Sequence, residues 1–312
     1  MSEISVIALT GGIGGARLAR GLHRHLPPGA LACIVNTGDD FEHLGLYVCP
    51  DLDTILYTLA DCHDPQTGWG RRDETWTFMS VLARLGGPEW FRLGDGDLAV
   101  HVERTRRLRG GESLSTITRD LCAGFGVTSA LLPMTDEPVR TRVHTSEGAL
   151  EFQDYFVRRR ANPVITEFEY RGAADARPTH GLLAALTSPR LEAIVVCPSN
   201  PWLSVDPILA VGGLREALRA RRIPIVAVCP LIAGRAVKGP TAKIMSELGI
   251  AATPAAIAAH YGGLLDGLVI DEVDRDWAGS CGIPTVVAHT LMSDDGRREA
   301  LAAAVLEFAR RL

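Results

Sequence analysis

Short, solidly apolar stretches recur along the chain, each followed by a polar loop and then an amphipathic stretch. Residues 4–9 (ISVIAL), 31–35 (LACIV), 192–197 (EAIVVC) and 223–229 (IPIVAVC) read as strands buried on both faces. Residues 129–132, 267–270 and 285–288 repeat the pattern. Helical periodicity fills the gaps: 16–25, with Leu18, Leu22 and His25 on one stripe, then 50–60, 74–85, 113–123, 179–188, 213–222, 255–261 and 298–312. Buried strands alternating with helices predict a doubly wound α/β core with a mostly parallel sheet. The rhythm breaks between about 138 and 172. There, 139–145 and 150–157 alternate apolar and polar residues around Ser146-Glu147-Gly148, and 165–170 adds an extended piece. The expected organisation is therefore core at 1–137, a smaller antiparallel insertion at 138–175, and core again at 176–312.

The first strand runs into Gly11-Gly12-Ile13-Gly14-Gly15. A glycine turn between strand and helix lets backbone approach a diphosphate, beside the free N–H groups of the helix start. No Lys-Ser or Lys-Thr pair closes a P-loop, and the spacing is not GxGxxG; a ligand-free turn is the alternative. Three more polar loops follow apolar runs: Asn36-Thr37-Gly38-Asp39-Asp40, Ser199-Asn200 between Pro198 and Pro201, and Lys238-Gly239-Pro240-Thr241. The carboxyl ends of parallel strands share one edge, so these four loops should meet in one crevice, which suits a nucleotide diphosphate. Asn36 can bond a phosphate or a base edge; Asp39 and Asp40 can hold Mg²⁺ or ribose hydroxyls, or simply form a turn. Asp51 is placed to cap a helix and Asp53 to complement its dipole, unless both join the polar site. Trp90, Phe91, Arg92, Asp95 and Asp97 suit a pocket wall for a planar ligand or a surface turn.

Charge and composition narrow the function. A formal net charge of −5 gives no electrostatic case for nucleic acid or an anionic membrane. No apolar run is long enough to span a bilayer and the N-terminus lacks a signal-peptide form, so a cytoplasmic protein is expected. The seven cysteines show no CxxC spacing and read as buried thiols. No zinc spacing or Ser/His/Asp order appears, and His43, His63 and His180 fit no catalytic pattern. Arg158-Arg159-Arg160 reads as a solvated hairpin end. Among the 32 basic residues only Lys238 and Lys243 are lysines, which fits a compact point charge near phosphate.

Taken together, GG-x-GG-A-R, Asn36 to Asp40, Pro50-Asp51-Leu52-Asp53-Thr54, Leu93-Gly94-Asp95, Pro198-Ser199-Asn200-Pro201 and Lys238-Gly239-Pro240-Thr241 resemble the 2-phospho-L-lactate transferase family of coenzyme F420 biosynthesis. The resemblance implies a Rossmann-like core, usually in a homodimer, and an Mg²⁺-dependent phosphotransferase that forms a phosphodiester. The ribityl hydroxyl of 7,8-didemethyl-8-hydroxy-5-deazariboflavin would attack a phosphorylated three-carbon acid activated as a guanosine diphosphate, and GMP would leave. The acid could be phospholactate, phosphoenolpyruvate or phosphoglycerate. By the same resemblance, Asp51 would contact the deazaflavin and orient or deprotonate its hydroxyl, and Arg92 would sit beside the ring. Gly11, Gly12, Gly14, Gly15, Asn36, Ser199 and Asn200 would face the nucleotide, Lys238 would neutralise phosphate, and Asp39 and Asp40 would hold the metal. Arg17 stands where the family usually has lysine, and Gly96 where it has arginine. The alternative is a related regulatory protein that binds a nucleotide sugar without catalysis. A dehydrogenase is disfavoured, because its second strand would end in an acidic residue rather than Asn36.

Overall fold

A computed structural model of the chain describes residues 4–312. The order begins β1 (Val6–Thr10), α1 (Gly12–His25), β2 (Leu31–Val35), β3 (Phe41–His43), β4 (Leu46–Val48), α2 (Pro50–Leu59), α3 (Thr77–Arg84), α4 (Asp95–Arg109) and α5 (Leu114–Gly124). It continues with β5 (Ala130–Pro133), β6 (Arg140–Thr145), β7 (Gly148–Glu151), β8 (Ile165–Arg171), α6 (His180–Leu186), β9 (Ala193–Val196), α7 (Asp206–Ala210) and α8 (Leu214–Arg219). The last part holds β10 (Ile225–Val228), β11 (Leu231–Ile232), β12 (Arg235–Ala236), α9 (Thr241–Glu247), α10 (Pro254–His260), β13 (Gly267–Asp271), β14 (Thr285–Ala288) and α11 (Asp295–Ala309).

Seven strands form one sheet in the order β14-β13-β10-β9-β1-β2-β5, with every pairing parallel. The chain builds outward from β1 to β5, then returns to place β9 on the other side of β1. Between β1 and β9 the winding reverses, and such a switch point opens a crevice at the carboxyl ends of the strands. The apolar runs are explained by burial on two faces. In β1, Ile7 and Leu9 enter one core with α6, α8, α9 and α10, while Val6 and Ala8 enter another with α1, α2 and α11. The doubly wound parallel core with an antiparallel addition is thus as the pattern predicts, β6 pairing with both β7 and β8. No helix among the described residues is long and apolar enough to cross a membrane. All seven cysteines are free, and only Cys62 is not fully buried.

Several local expectations need correcting. Helix α1 starts at Gly12 rather than residue 16, so the glycines form its first turn. Helix α2 is capped by Cys49 with Pro50 at its start, so Asp51 lies inside the first turn and caps nothing on its own helix. Pro240 is the residue that caps the start of α9. The hairpin's second strand stops at Glu151, and a π-helical turn, Asp154–Arg158, takes over. The periodicity reading lacks the short elements α7, α9, β11 and β12, and two larger features besides. The β3–β4 hairpin turns on Leu44 and Gly45, both at positive φ, and leucine there is no turn signal. Helix α4 buries Val100, His101, Arg104 and Thr105, a mostly polar face that leaves no apolar stripe.

Candidate functional site

Along the carboxyl edge of the sheet runs a cavity of about 560 Å³. The segments after β1, β2, β9, β12 and β14 supply Gly12, Asp39, Ser199, Lys238 and Met292 to its wall, and α2 supplies Asp51. The four polar loops therefore do converge. Gly11, Gly14, Arg92 and Asn200 also line it, whereas Gly15, Asn36 and Asp40 do not.

The glycines serve mainly the packing of loop on loop. A Cβ on Gly14 would run into the Pro198 carbonyl oxygen, and one on Gly15 into Ser199 Oγ and Thr10 Oγ1. Gly11 stands against Asp51 Oδ2 and Ser204. Gly12 has φ +62°, which disfavours any side chain there. These contacts bring the β1 and β9 loops together across the switch point; Ser199 Oγ donates to the Gly11 carbonyl at 2.9 Å.

Asp51 sits where these loops meet and is 6% exposed. Its Oδ1 accepts from Gly12 N at 2.7 Å and its Oδ2 from Asn36 Nδ2 at 3.0 Å. Asn36 is wholly buried; it also donates to the Leu203 carbonyl at 3.1 Å and accepts from Gly38 N at 2.8 Å. It lies behind Asp51 and not on the cavity wall, where the expectation that it faces the nucleotide would have put it. Burial pushes the Asp51 carboxyl up to about 6, against the pull of the Asn36 and Gly12 hydrogen bonds.

Asp39 lies beside Asp51, and burial followed by the Asp51 charge raises its carboxyl well above the usual range. Among the described residues its Oδ1 has no hydrogen-bond partner, and the Asp40 carboxylate, 1% exposed, has no N–H donor and only the Cys49 thiol beside it. Burial takes Asp40 up to about 7. Asp40 turns toward a second groove, under the small antiparallel sheet beside Arg140 and Gln153, that shares Asp39 with the main cavity. Buried carboxylates short of donors fit a hard divalent cation, and of the pair Asp39 opens onto the main cavity.

A third layer supports α2. Both carboxylate oxygens of Asp53 accept from Arg104, which is 1% exposed. His101 Nδ1 lies 3.3 Å from Arg104 Nη1, so Nδ1 must accept and Nε2 carries the proton, 3.2 Å from Asp97 Oδ2. The Tyr57 hydroxyl donates to Asp97 Oδ1 at 2.5 Å. Asp53, Asp97 and His101 lie close enough together to grip a metal. The Arg104 cation already occupies Asp53, however, and the protonated Nε2 is no ligand, so this cluster reads as scaffolding.

At the β2 end the wall turns aromatic. Phe91 packs edge-on against Phe41 with centroids 4.8 Å apart, and Trp90 against His43 at 5.2 Å. The Arg92 guanidinium stacks over Trp76 at 4.2 Å. On the opposite wall Lys238 Nζ donates to the Thr67 carbonyl at 2.8 Å, tying the loop before α3 to the loop before α9. Lys243 is not part of the cavity; it pairs with Glu247 at 2.5 Å and donates to the Pro163 carbonyl. Arg17, Tyr57, His101, Phe152 and Thr290 also line the cavity; none stands in a spacing that marks a site, since each reaches the wall singly from a different element.

The description 2-phospho-L-lactate transferase CofD belongs to a family model that matches residues 6–280. A phosphoenolpyruvate transferase from Streptomyces griseus is 42% identical, covering 97% of this chain and 98% of the relative. The Mycobacterium ulcerans protein of the same name is 38% identical, covering 98% and 99%. Among solved structures, a UPF0052 family member from Bacillus halodurans superposes with a TM-score of 0.65 at 19% identity, covering 98% of this chain and 99% of that one, which shows a shared fold.

Proposed function

Since this chain belongs to the 2-phospho-L-lactate transferase family, we propose that it passes a phosphorylated three-carbon acid to a deazaflavin in coenzyme F420 biosynthesis. The acceptor in this reading is 7,8-didemethyl-8-hydroxy-5-deazariboflavin and the donor a guanosine diphosphate-activated acid. The names of the similar proteins favour phosphoenolpyruvate as that acid. The observation that carries the reading is the position of Asp51: a buried carboxylate whose cavity is also lined by the aromatic Trp90 and Phe91 and by glycine backbone and the cations Arg17 and Lys238.

Each Asp51 oxygen receives one hydrogen bond from the protein and keeps a second lone pair for the cavity. A ribityl hydroxyl placed there gives its proton to Asp51 as its oxygen bonds the acid-bearing phosphorus. The bond from that phosphorus to the bridging oxygen breaks, and GMP leaves with that oxygen and its electron pair. A carboxyl held near 6 is a better base at neutral pH than an ordinary aspartate. Trp90 and Phe91 would face the ring and Arg92 its polar edge. Positioning and charge neutralisation supply most of the catalysis in such transfers, so no protein nucleophile is required. Asp39 would hold Mg²⁺, with Asp40 behind it; the ion would offset diphosphate charge.

The regulatory alternative leaves the aromatic wall and Asp51 without a task. Incubating purified protein with the deazaflavin, Mg²⁺ and each guanosine diphosphate-activated acid, then weighing the product by mass spectrometry, tests the reading. A deazaflavin phosphodiester with release of GMP supports it. No adduct with any donor, together with no deazaflavin binding by fluorescence, overturns it.

A further inference from the structure

Arg17 differs from most of the arginines that surround it. Its guanidinium lines the cavity, yet no hydrogen bond or ion pair holds it among the described residues. Arg20, one turn further along α1, is fully engaged by Asp295, Asp61 and the Thr58 carbonyl. Arg298, the charge nearest to Arg17, is neutralised by Asp295 at 2.6 Å. The acid that opens α11 is thus spent on other cations. A half-buried guanidinium with free donors and a like charge beside it lacks its counter-ion.

Its direction is set by the helix. Side chains on an α-helix lean toward the N-terminus, over the residues three and four positions earlier. For Arg17 those are Gly14, which has no side chain to stand in the way, and Ile13. The Gly11 and Gly12 N–H groups are taken by Ser199 Oγ and Asp51 Oδ1, whereas those of Ile13 and Gly14 have no acceptor among the described residues. Lys238, the other cation of this wall, already donates to Thr67. Arg17 is therefore a cavity cation with every guanidinium donor free, whereas Lys238 has one of its three donors committed.

We propose that Arg17 binds the phosphate that stays on the nucleotide, and so stabilises GMP as the leaving group. The assignment rests on the nucleotide-donor reading given above. As the bond between the transferred phosphorus and the bridging oxygen breaks, charge gathers on GMP, and Arg17 donates two hydrogen bonds to its phosphate without losing a proton.

The test is GDP binding by titration calorimetry to the wild-type chain, R17A and R17K, with deazaflavin binding followed by fluorescence. R17A should weaken GDP about tenfold to a hundredfold, the cost of a charge-assisted contact, and flatten the dependence of affinity on salt. R17K should recover part of the loss, since the charge returns without the fork. Deazaflavin affinity and the urea midpoint should stay unchanged in both variants. In turnover, the donor KM should rise and kcat fall while the acceptor KM holds. Equal GDP affinity in wild type and R17A, or a parallel loss of deazaflavin binding, overturns the assignment. Absence of GDP binding to the wild-type chain overturns the donor reading itself and the assignment with it.

Discussion

Asn36 Nδ2 lies 3.0 Å from Asp51 Oδ2, joining the end of β2 to the first turn of α2 inside the site. The bond favours the charged carboxylate and holds its pKa below what burial alone would set. Turnover should need Asp51 deprotonated, so activity should fall as pH drops through about 6. Asn36→Ala removes a bond that lowers this pKa, so the acid limb of the kcat/KM profile should move to higher pH. Asp51→Asn should abolish the limb and cut kcat about 10²- to 10⁴-fold, with GDP binding kept. An unshifted limb in Asn36→Ala would contradict the coupling.

Asp40 makes a separate prediction about stability. Its carboxyl titrates at about 7 in the fold and near 3.8 in the unfolded chain. The folded state thus holds the proton more tightly, and this contribution is whole below pH 3.8 and lost as pH rises through 7. In EDTA at pH 8, Asp40→Asn should raise unfolding free energy by up to about 4 kcal/mol, and the gain should shrink toward pH 4. Urea titrations at several pH values measure it.

Arg104 and Asp53 are both buried, so removing one strands the other's charge. Arg104→Met should cost about 3–5 kcal/mol in urea denaturation. Adding Asp53→Asn in the same chain should recover much of that loss. Additive losses in the double variant would refute the pairing.

Gly14→Ala tests the junction of the β1 and β9 loops. The new Cβ meets a carbonyl oxygen and not a flexible side chain, so the loops must part. A loss of about 1–3 kcal/mol is expected, with weaker GDP binding at the same time. Wild-type stability would show that the loops have slack.

The parts of this molecule that were legible in the sequence are those where one physical rule acts alone. Strands such as β1 and β9 are apolar on both faces because both faces are covered, and that reads directly as a run. The shared edge of a parallel sheet then brings distant loops together without further information. Other parts depend on which neighbour faces which. Helix α4 hides its charges against α2, so its buried side looks like an exposed one. Asn36 and Gly15 stand beside the right segments but serve the protein's own packing, and no spacing rule separates a group that lines the cavity from one that props up its neighbour. The tilt of Asp40 into the second groove has the same origin, since adjacent residues in a loop need not share a side.

Helix α1, whose first turn lines the cavity, packs on α11, with Gly21 close against the Arg298 carbonyl and Arg20 bound to Asp295 across 275 positions. Synthesis makes the glycine turn some 275 positions before the helix that covers it. Until α11 arrives, α1 carries a bare apolar flank and an arginine with too few acids. This edge of the molecule must therefore finish assembling after α11 is made, and losing α11 would undo a region some 275 positions earlier in the chain.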